Sequence, residues 1–142
     1  MEPGIVGLVC TTESFSPADH ASVRWLDRHA DYPLVREAWE RRGGPPSREE
    51  WLSWWDEGYE FCAVVEGDRI QAVAAAWRCS DDAWELAGVW TRDEARRRGH
   101  GRAVCSLATA HILAHVRAAT CSTRSTNRPM LELARSLGYR PA

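Results

Sequence analysis

The 142-residue chain contains no lysine; each of its 18 basic residues is an arginine. A P-loop is therefore excluded, because that phosphate cradle needs a lysine directly after its second glycine. A third glycine is missing as well: Gly99 and Gly101 have no partner three residues on, so the dinucleotide-binding fingerprint is absent. No Cys-x-x-Cys spacing occurs. Cys10, Cys62, Cys79, Cys105 and Cys121 are scattered and odd in number, which reads as reduced packing residues in a cytoplasmic protein. Long apolar runs are lacking too. Ile5 to Val9 is far too short for a secretion signal and follows Glu2 rather than a basic segment. A net charge of −2 argues against nucleic acid or an anionic membrane as the main partner. Arginine in place of every lysine, with abundant alanine, points to a GC-rich bacterial genome. A chain this long is expected to form one domain, residues 1–142, around a single core.

What the chain does have is the turn Arg96-Arg97-Arg98-Gly99-His100-Gly101, set between a strand-like run, Trp84 to Trp90, and a long helical stretch. A strand feeding a glycine-punctuated turn at a helix start aims several unpaired backbone N–H groups at one point, where the helix dipole also favours negative charge. Three arginine side chains add cations at the same place. Such a turn suits an anionic cofactor carrying a pyrophosphate.

The surrounding elements follow from local signals. Ile5 to Cys10 predicts a first strand. Ser16-Pro17-Ala18-Asp19 predicts a helix start running to about His29, and Pro33 opens a second helix that ends before Gly43-Gly44-Pro45-Pro46. Ser47 and Glu50 form a capping box for a short helix ending at Gly58. Tyr59 to Glu66 and Ile70 to Cys79 read as a hairpin around Gly67-Asp68, followed by Ser80-Asp81-Asp82 and the strand Trp84 to Trp90. The helix from about Gly101 to Val116 is apolar nearly all round and predicts burial against the sheet. Ala118 to Ser122 reads as a strand and Thr123 to Asn127 as a loop. An amphipathic helix then carries Met130, Leu133, Ala134 and Leu137 on one face and ends at Gly138.

Arg96, Gly99 and Gly101 match the acyl-CoA loop of the GNAT N-acetyltransferases, whose pattern is Gln or Arg, two residues, Gly, one residue, Gly or Ala. Asn127 and Leu137-Gly138-Tyr139 match the way those chains close, at the family's spacing. The chain resembles that family well from Tyr59 to Tyr139 and loosely over its first fifty residues. The resemblance implies an α/β, GNAT-type mixed sheet in the order β, helices, βββ, α, β, α, with splayed central strands. The closing hairpin is mostly missing, because the chain stops three residues after Tyr139. An edge short of partners invites another chain, so a homodimer or a partner chain is expected, with Ala118 to Ser122 and Tyr139 to Ala142 at or near the contact.

Function follows in the same terms. The implied activity is an acyl-CoA-dependent transfer of an acetyl group to a primary amine of a small molecule or peptide, with acetyl-CoA or another acyl-CoA as cofactor and no metal. The implied cofactor-binding residues are Val89, Trp90 and Thr91 on the strand, Arg96, Arg97, Arg98, Gly99, His100, Gly101 and Arg102 in the loop, and Asn127. An amine near pKa 10 is almost wholly protonated at neutral pH, so a base is needed. Glu85 lies eleven residues before Arg96, the offset of the base glutamate in histone-acetylating members. Strand alternation would put it on one face with Ala87, Val89 and Thr91; Asp81 or Asp82, relaying protons through water, are the alternatives. The acid is the gap. Many members carry a tyrosine four residues before the last glycine, and here that residue is Ala134. Cys121, Ser122, Tyr139 or water are left to protonate the leaving thiolate. The rival reading is a catalytically weak domain of the same type, an acyl-CoA sensor or partner subunit.

Eight tryptophans are heavy use, and Trp51, Trp54 and Trp55 crowd one short helix. Core packing is the expected role, with an aromatic wall beside the acceptor as the alternative. His111 and His115 are spaced i, i+4 without an acid nearby in sequence, which predicts a packed pair rather than metal ligands.

Overall fold

The computed structural model describes residues 4–40 and 43–142. Seven strands form one mixed sheet: β1 (Ile5–Thr11), β2 (Arg24–Trp25), β3 (Tyr59–Glu66), β4 (Arg69–Trp77), β5 (Ala83–Thr91), β6 (Ala118–Arg124) and β7 (Arg140–Pro141). Its helices are α1 (Tyr32–Glu40), α2 (Arg48–Asp56), α3 (His100–His115) and α4 (Arg128–Ser136). The strand order is β2-β3-β4-β5-β6-β1-β7. β3, β4 and β5 run antiparallel, whereas β5 and β6 are parallel, as a crossover through α3 requires.

The centre of the sheet is made of small residues because both of its faces are covered. Ala72 to Ala76 on β4 are all fully buried. α3 and α4 pack on one face around Leu86, Val104, Ala108, Ile112 and Leu137; α1 and α2 pack on the other around Val35, Trp51, Phe61 and Val73. The β3–β4 turn carries positive φ at both Gly67 and Asp68, the mirror-image geometry that suits strand twist. Ser47 Oγ caps α2 by accepting from the amide of Glu50 at 3.1 Å. Four of the cysteines are buried packing residues; Cys79 is exposed.

Three expectations are corrected. No helix forms over residues 16–29. The Ser16 amide donates to the Leu137 carbonyl at 2.8 Å, and Ser106 Oγ receives the Ala18 amide and donates to the Ala18 carbonyl. Those tertiary bonds hold the backbone out of a helix, and residues 24–25 then pair with β3. β6 runs on to Arg124 instead of yielding to a loop at Thr123. The edge of β6 is not open either: β1 lies antiparallel beside it over its whole length, from Ile5↔Arg124 to Thr11↔Ala118. The N-terminal strand thus occupies a closing position, with β7 paired to Leu8 and Val9 outside it. An unpaired β6 is therefore no reason to expect a second subunit.

Candidate active site

β5 and β6 pair only at Ala83↔Ala118, Trp84↔Ala119 and Glu85↔Thr120. Beyond that point they separate. β5 continues to Thr91 and β6 to Arg124 without contacting each other as strands, so the edge of β5 from Leu86 onward faces an open wedge. Glu85 stands at the apex of this wedge, on the last paired position.

The arginine turn closes the wide end. Between Thr91 and α3 the chain makes a short 3₁₀ turn, Asp93–Ala95, and then enters the left-handed region at Arg97 (φ 66°) and Gly99 (φ 79°). Alternating hand in this way turns successive amides toward one side. Among the described residues, the amides of Arg97 to Arg102 make no hydrogen bond, and the first engaged amide is Ala103, which donates to the Gly99 carbonyl at 3.0 Å. This is the set of orphan donors at a helix N-terminus that an anion satisfies.

A cleft of about 630 Å³ opens here, lined by Val89, Trp90, Thr91, Ala95, Arg96, Arg97, Gly99, His100, Gly101, Arg102, Asn127, Pro129, Met130 and Leu133. It contains every expected cofactor-binding residue except Arg98, whose side chain turns away to Glu66 at 3.5 Å. Arg96 has one exposed partner, Asp93, at 3.4 Å. Arg97 and Arg102 have no ion-pair partner among the described residues, so their charge is uncommitted. The buried His100 Nε2 also lacks a hydrogen bond among the described residues. Free amides, free guanidinium groups and an unpaired ring nitrogen make a donor set that fits the pyrophosphate of an acyl-CoA. Asn127 contributes by capping α4, its Oδ1 accepting from the Met130 amide at 3.3 Å. α4 supplies the apolar far wall through Met130 and Leu133.

Glu85 is not part of that lining; it lies roughly 12 Å up the strand from Val89. It is half-buried, and burial pushes its carboxyl above the ordinary 4.5, against a smaller downward pull from the neighbouring Thr120 side chain. Its neighbours differ from expectation. β5 carries one extra residue opposite Val73–Ala75, since Trp90 faces Val73 while Ala87 faces Ala75. This bulge inverts the alternation. Ala87 keeps the Glu85 face, but Val89 packs with the α3 layer and Trp90 takes the α1–α2 side. Across the sheet, Tyr59, Trp77, Glu85, Thr120 and Val9 are opposite one another in register and form a single row.

The candidate acids separate clearly. Ala134 is fully buried in the core rather than facing the cleft. Tyr139 is buried with its hydroxyl 2.8 Å from Thr109 Oγ1, and burial raises its pKa well above 10. Cys121 packs in the α3 layer, pushed up to about 11 chiefly by burial. Only Ser122 is exposed, two residues past Thr120 on the same side of β6. Asp81 and Asp82 lie in the exposed turn before β5.

Sequence reading missed two features of the surroundings. Arg92 is 2% exposed; its Nε donates to the Ile70 carbonyl at 3.0 Å and its guanidinium grips Glu37 of α1. It clamps the α1 layer to the strand end from which the loop departs. His111 has an acid after all, Glu60 of β3 at 3.1 Å, reached through the fold rather than the sequence. The pair is otherwise packed: His115 Nδ1 lies 2.8 Å from the His111 carbonyl, His111 meets Trp25 edge-on and His115 stacks on Trp84. Among the described residues no cluster of ligands could hold a metal ion, and no helix is long and apolar enough to cross a membrane.

Comparison with known proteins places this geometry. No curated protein matches the sequence. Among solved structures, a GNAT-family protein from Novosphingobium aromaticivorans superposes with a TM-score of 0.76 at 22% identity, covering 97% of this chain and 61% of its own. A GNAT-family acetyltransferase from Colwellia psychrerythraea gives 0.76 at 14% identity, with 99% and 53% covered. The ribosomal-protein-S18-alanine N-acetyltransferase from Escherichia coli gives 0.68 at 21% identity, with 84% and 77% covered. The chain thus spans little more than half the length of the first two, and at these identities the likeness is one of fold. The model of the acetyltransferase (GNAT) family matches residues 20–139, a span that holds the strand wedge, the arginine turn and the closing Leu-Gly-Tyr. This chain belongs to the GNAT acetyltransferase family.

Proposed function

We propose that the protein is an acyl-CoA-dependent N-acyltransferase that moves an acetyl group to a primary amine of a small molecule or peptide. One observation carries this reading: a single open strand edge joins Glu85, at the wedge apex, to a loop of unengaged amides at its wide end. The amides of residues 97–102, with Arg96, Arg97 and Arg102, would hold the pyrophosphate; the open edge at Val89, Trp90 and Thr91 would hold the arm running toward the apex. Bound there, acetyl-CoA or another acyl-CoA supplies an acyl group activated as a thioester.

The chain's own groups then have separate tasks. Glu85, with its raised pKa, takes the proton from the incoming ammonium and frees the lone pair. A backbone N–H on the open β5 edge meets the negative oxygen. No cleft side chain is needed as a dedicated acid, because a thiol's pKa lies close enough to neutrality for water to return its proton. The test is thermal stabilisation by CoA and acetyl-CoA, followed by free-thiol release with a panel of amines. Stabilisation together with amine-dependent thiol release is expected. Stabilisation without turnover of any amine would favour the sensor or partner-subunit reading, for which the buried Ala134 speaks. No stabilisation would remove the acyl-CoA assignment itself.

A further inference from the structure

A second pocket, of about 290 Å³, lies on the Glu85 side at the sheet edge where β2 ends. It is lined by Leu26, Asp27, Arg28, Trp55, Tyr59, Glu60 and Arg78. Trp51 behind it is core, fully buried with its Nε1 donating to the Arg28 carbonyl at 2.9 Å. Trp55 differs: its Nε1 is buried and has no acceptor among the described residues, an orphan that a folded protein rarely tolerates without a use.

Each lining acid is engaged through one oxygen, whereas most N–H groups of the lining arginines have no partner among the described residues. Asp27 accepts the amides of His29 and Ala30 at 2.9 and 2.7 Å. Glu60 is bound to His111. Arg28 and Arg78 are about half exposed, at 47% and 52%, and each makes one loose contact, Arg28 to the largely exposed Asp56 at 3.2 Å and Arg78 to Glu60 at 4.0 Å. Each guanidinium has five N–H groups, so most of their donors are spare. The surplus is of donors, which suits an anion, and the planar fork of arginine suits a carboxylate.

This pocket is connected to the reacting end by an aromatic floor. Tyr59, which lines it, stacks on Trp77 with rings 5.0 Å apart and 2° from parallel, and Trp77 lies opposite Glu85. Two strand spacings separate Tyr59 from Glu85, roughly 10 Å. Resting on the acyltransferase reading above, we propose that the acceptor is an amino carboxylate. Its carboxylate is held by the Trp55 indole N–H with Arg28 and Arg78, its extended or flat middle lies on Tyr59 and Trp77, and its amine reaches Glu85.

The test compares 8-aminooctanoate with octylamine, which has the same chain and no carboxylate. In a ¹H–¹⁵N spectrum of the indole N–H groups, the Trp55 signal is identified by its absence in Trp55→Phe. It should shift on titration with aminooctanoate and stay in place with octylamine. With acetyl-CoA, octylamine should show a KM about tenfold or more above that of aminooctanoate at similar kcat, and Trp55→Phe or Arg78→Gln should remove most of the difference. An unmoved Trp55 signal at saturation, an equal shift with octylamine, or equal KM values would overturn the proposal. If the Trp55 signal shifts with aminooctanoate but neither amine is acetylated, the acyltransferase reading fails while the carboxylate site stands.

Discussion

Two residues test the proposed function most directly. Glu85→Gln should lower kcat by about 100-fold and leave acetyl-CoA affinity nearly unchanged, as expected when a general base is removed. The sign of the pH effect follows from its environment. Burial holds the Glu85 pKa above 4.5, so the base form is lost as pH falls through that raised value, and kcat/KM should fall with it. The Thr120 side chain, opposite Glu85 in register, works the other way, so Thr120→Val should move this acid limb to higher pH, and Glu85→Gln should abolish it. A limb unmoved by either variant would take Glu85 out of the mechanism. Gly99 tests the binding half of the proposal instead. It sits at φ 79° with open space around the position of a Cβ, so valine there strains the backbone without striking the core. Gly99→Val should stay folded, redirect the loop amides and weaken CoA binding roughly tenfold or more by calorimetry. Tight binding by a folded variant would contradict the loop assignment.

Among the elements, those specified by neighbouring residues were legible and those specified by distant ones were not. The turn at Gly67-Asp68, the Ser47 cap and the Gly138 stop are local devices, and each appears where the sequence puts it. Ser16-Pro17-Ala18-Asp19 carries an equally good helix start, yet Leu137 and Ser106 claim that backbone from far along the chain. Alternation along β5 failed for a similar reason: the extra residue opposite Val73–Ala75 is a property of the strand pair, invisible in β5 alone. The loop residues of the candidate site were readable because glycine and arginine spacing is itself the device. The second pocket was not, because it brings together residues from 26 to 78. Gly138 shows how such distant elements lock. At φ 104°, a Cβ would lie 2.0 Å from the Ser14 carbonyl oxygen. Gly138→Ala must therefore displace the turn after β1 as well as strain the end of α4. A loss of about 3 kcal/mol in denaturant unfolding is expected; a loss below about 0.5 kcal/mol would mean the contact relaxes freely.

At the scale of the whole molecule, the position of β1 matters most. The wedge has two arms. One is β3–β4–β5, held by covering layers on both faces, and the other is β6 with α4 beside it. That second arm would end in a bare strand but for β1, which pairs with all seven residues of β6 and adds Leu8 and Cys10 to the α3 core. Tyr139, fully buried beyond α4, and β7 complete it from the other terminus. β1 and β7 thus back the arm that carries α4, the far wall of the cleft, and β1 cannot be a frayed appendage. Native-state hydrogen exchange tests this. The β1 amides that pair with β6 should exchange only through global unfolding, with the same free energy as those of β3 and β4. Leu8→Ala should lower that common value by about 3 kcal/mol. If β1 exchanged through a cheaper, separate opening, the backing of the β6–α4 arm would be a mobile flap. CoA binding would then have to order it, and affinity would vary with β1 mutations that leave global stability untouched.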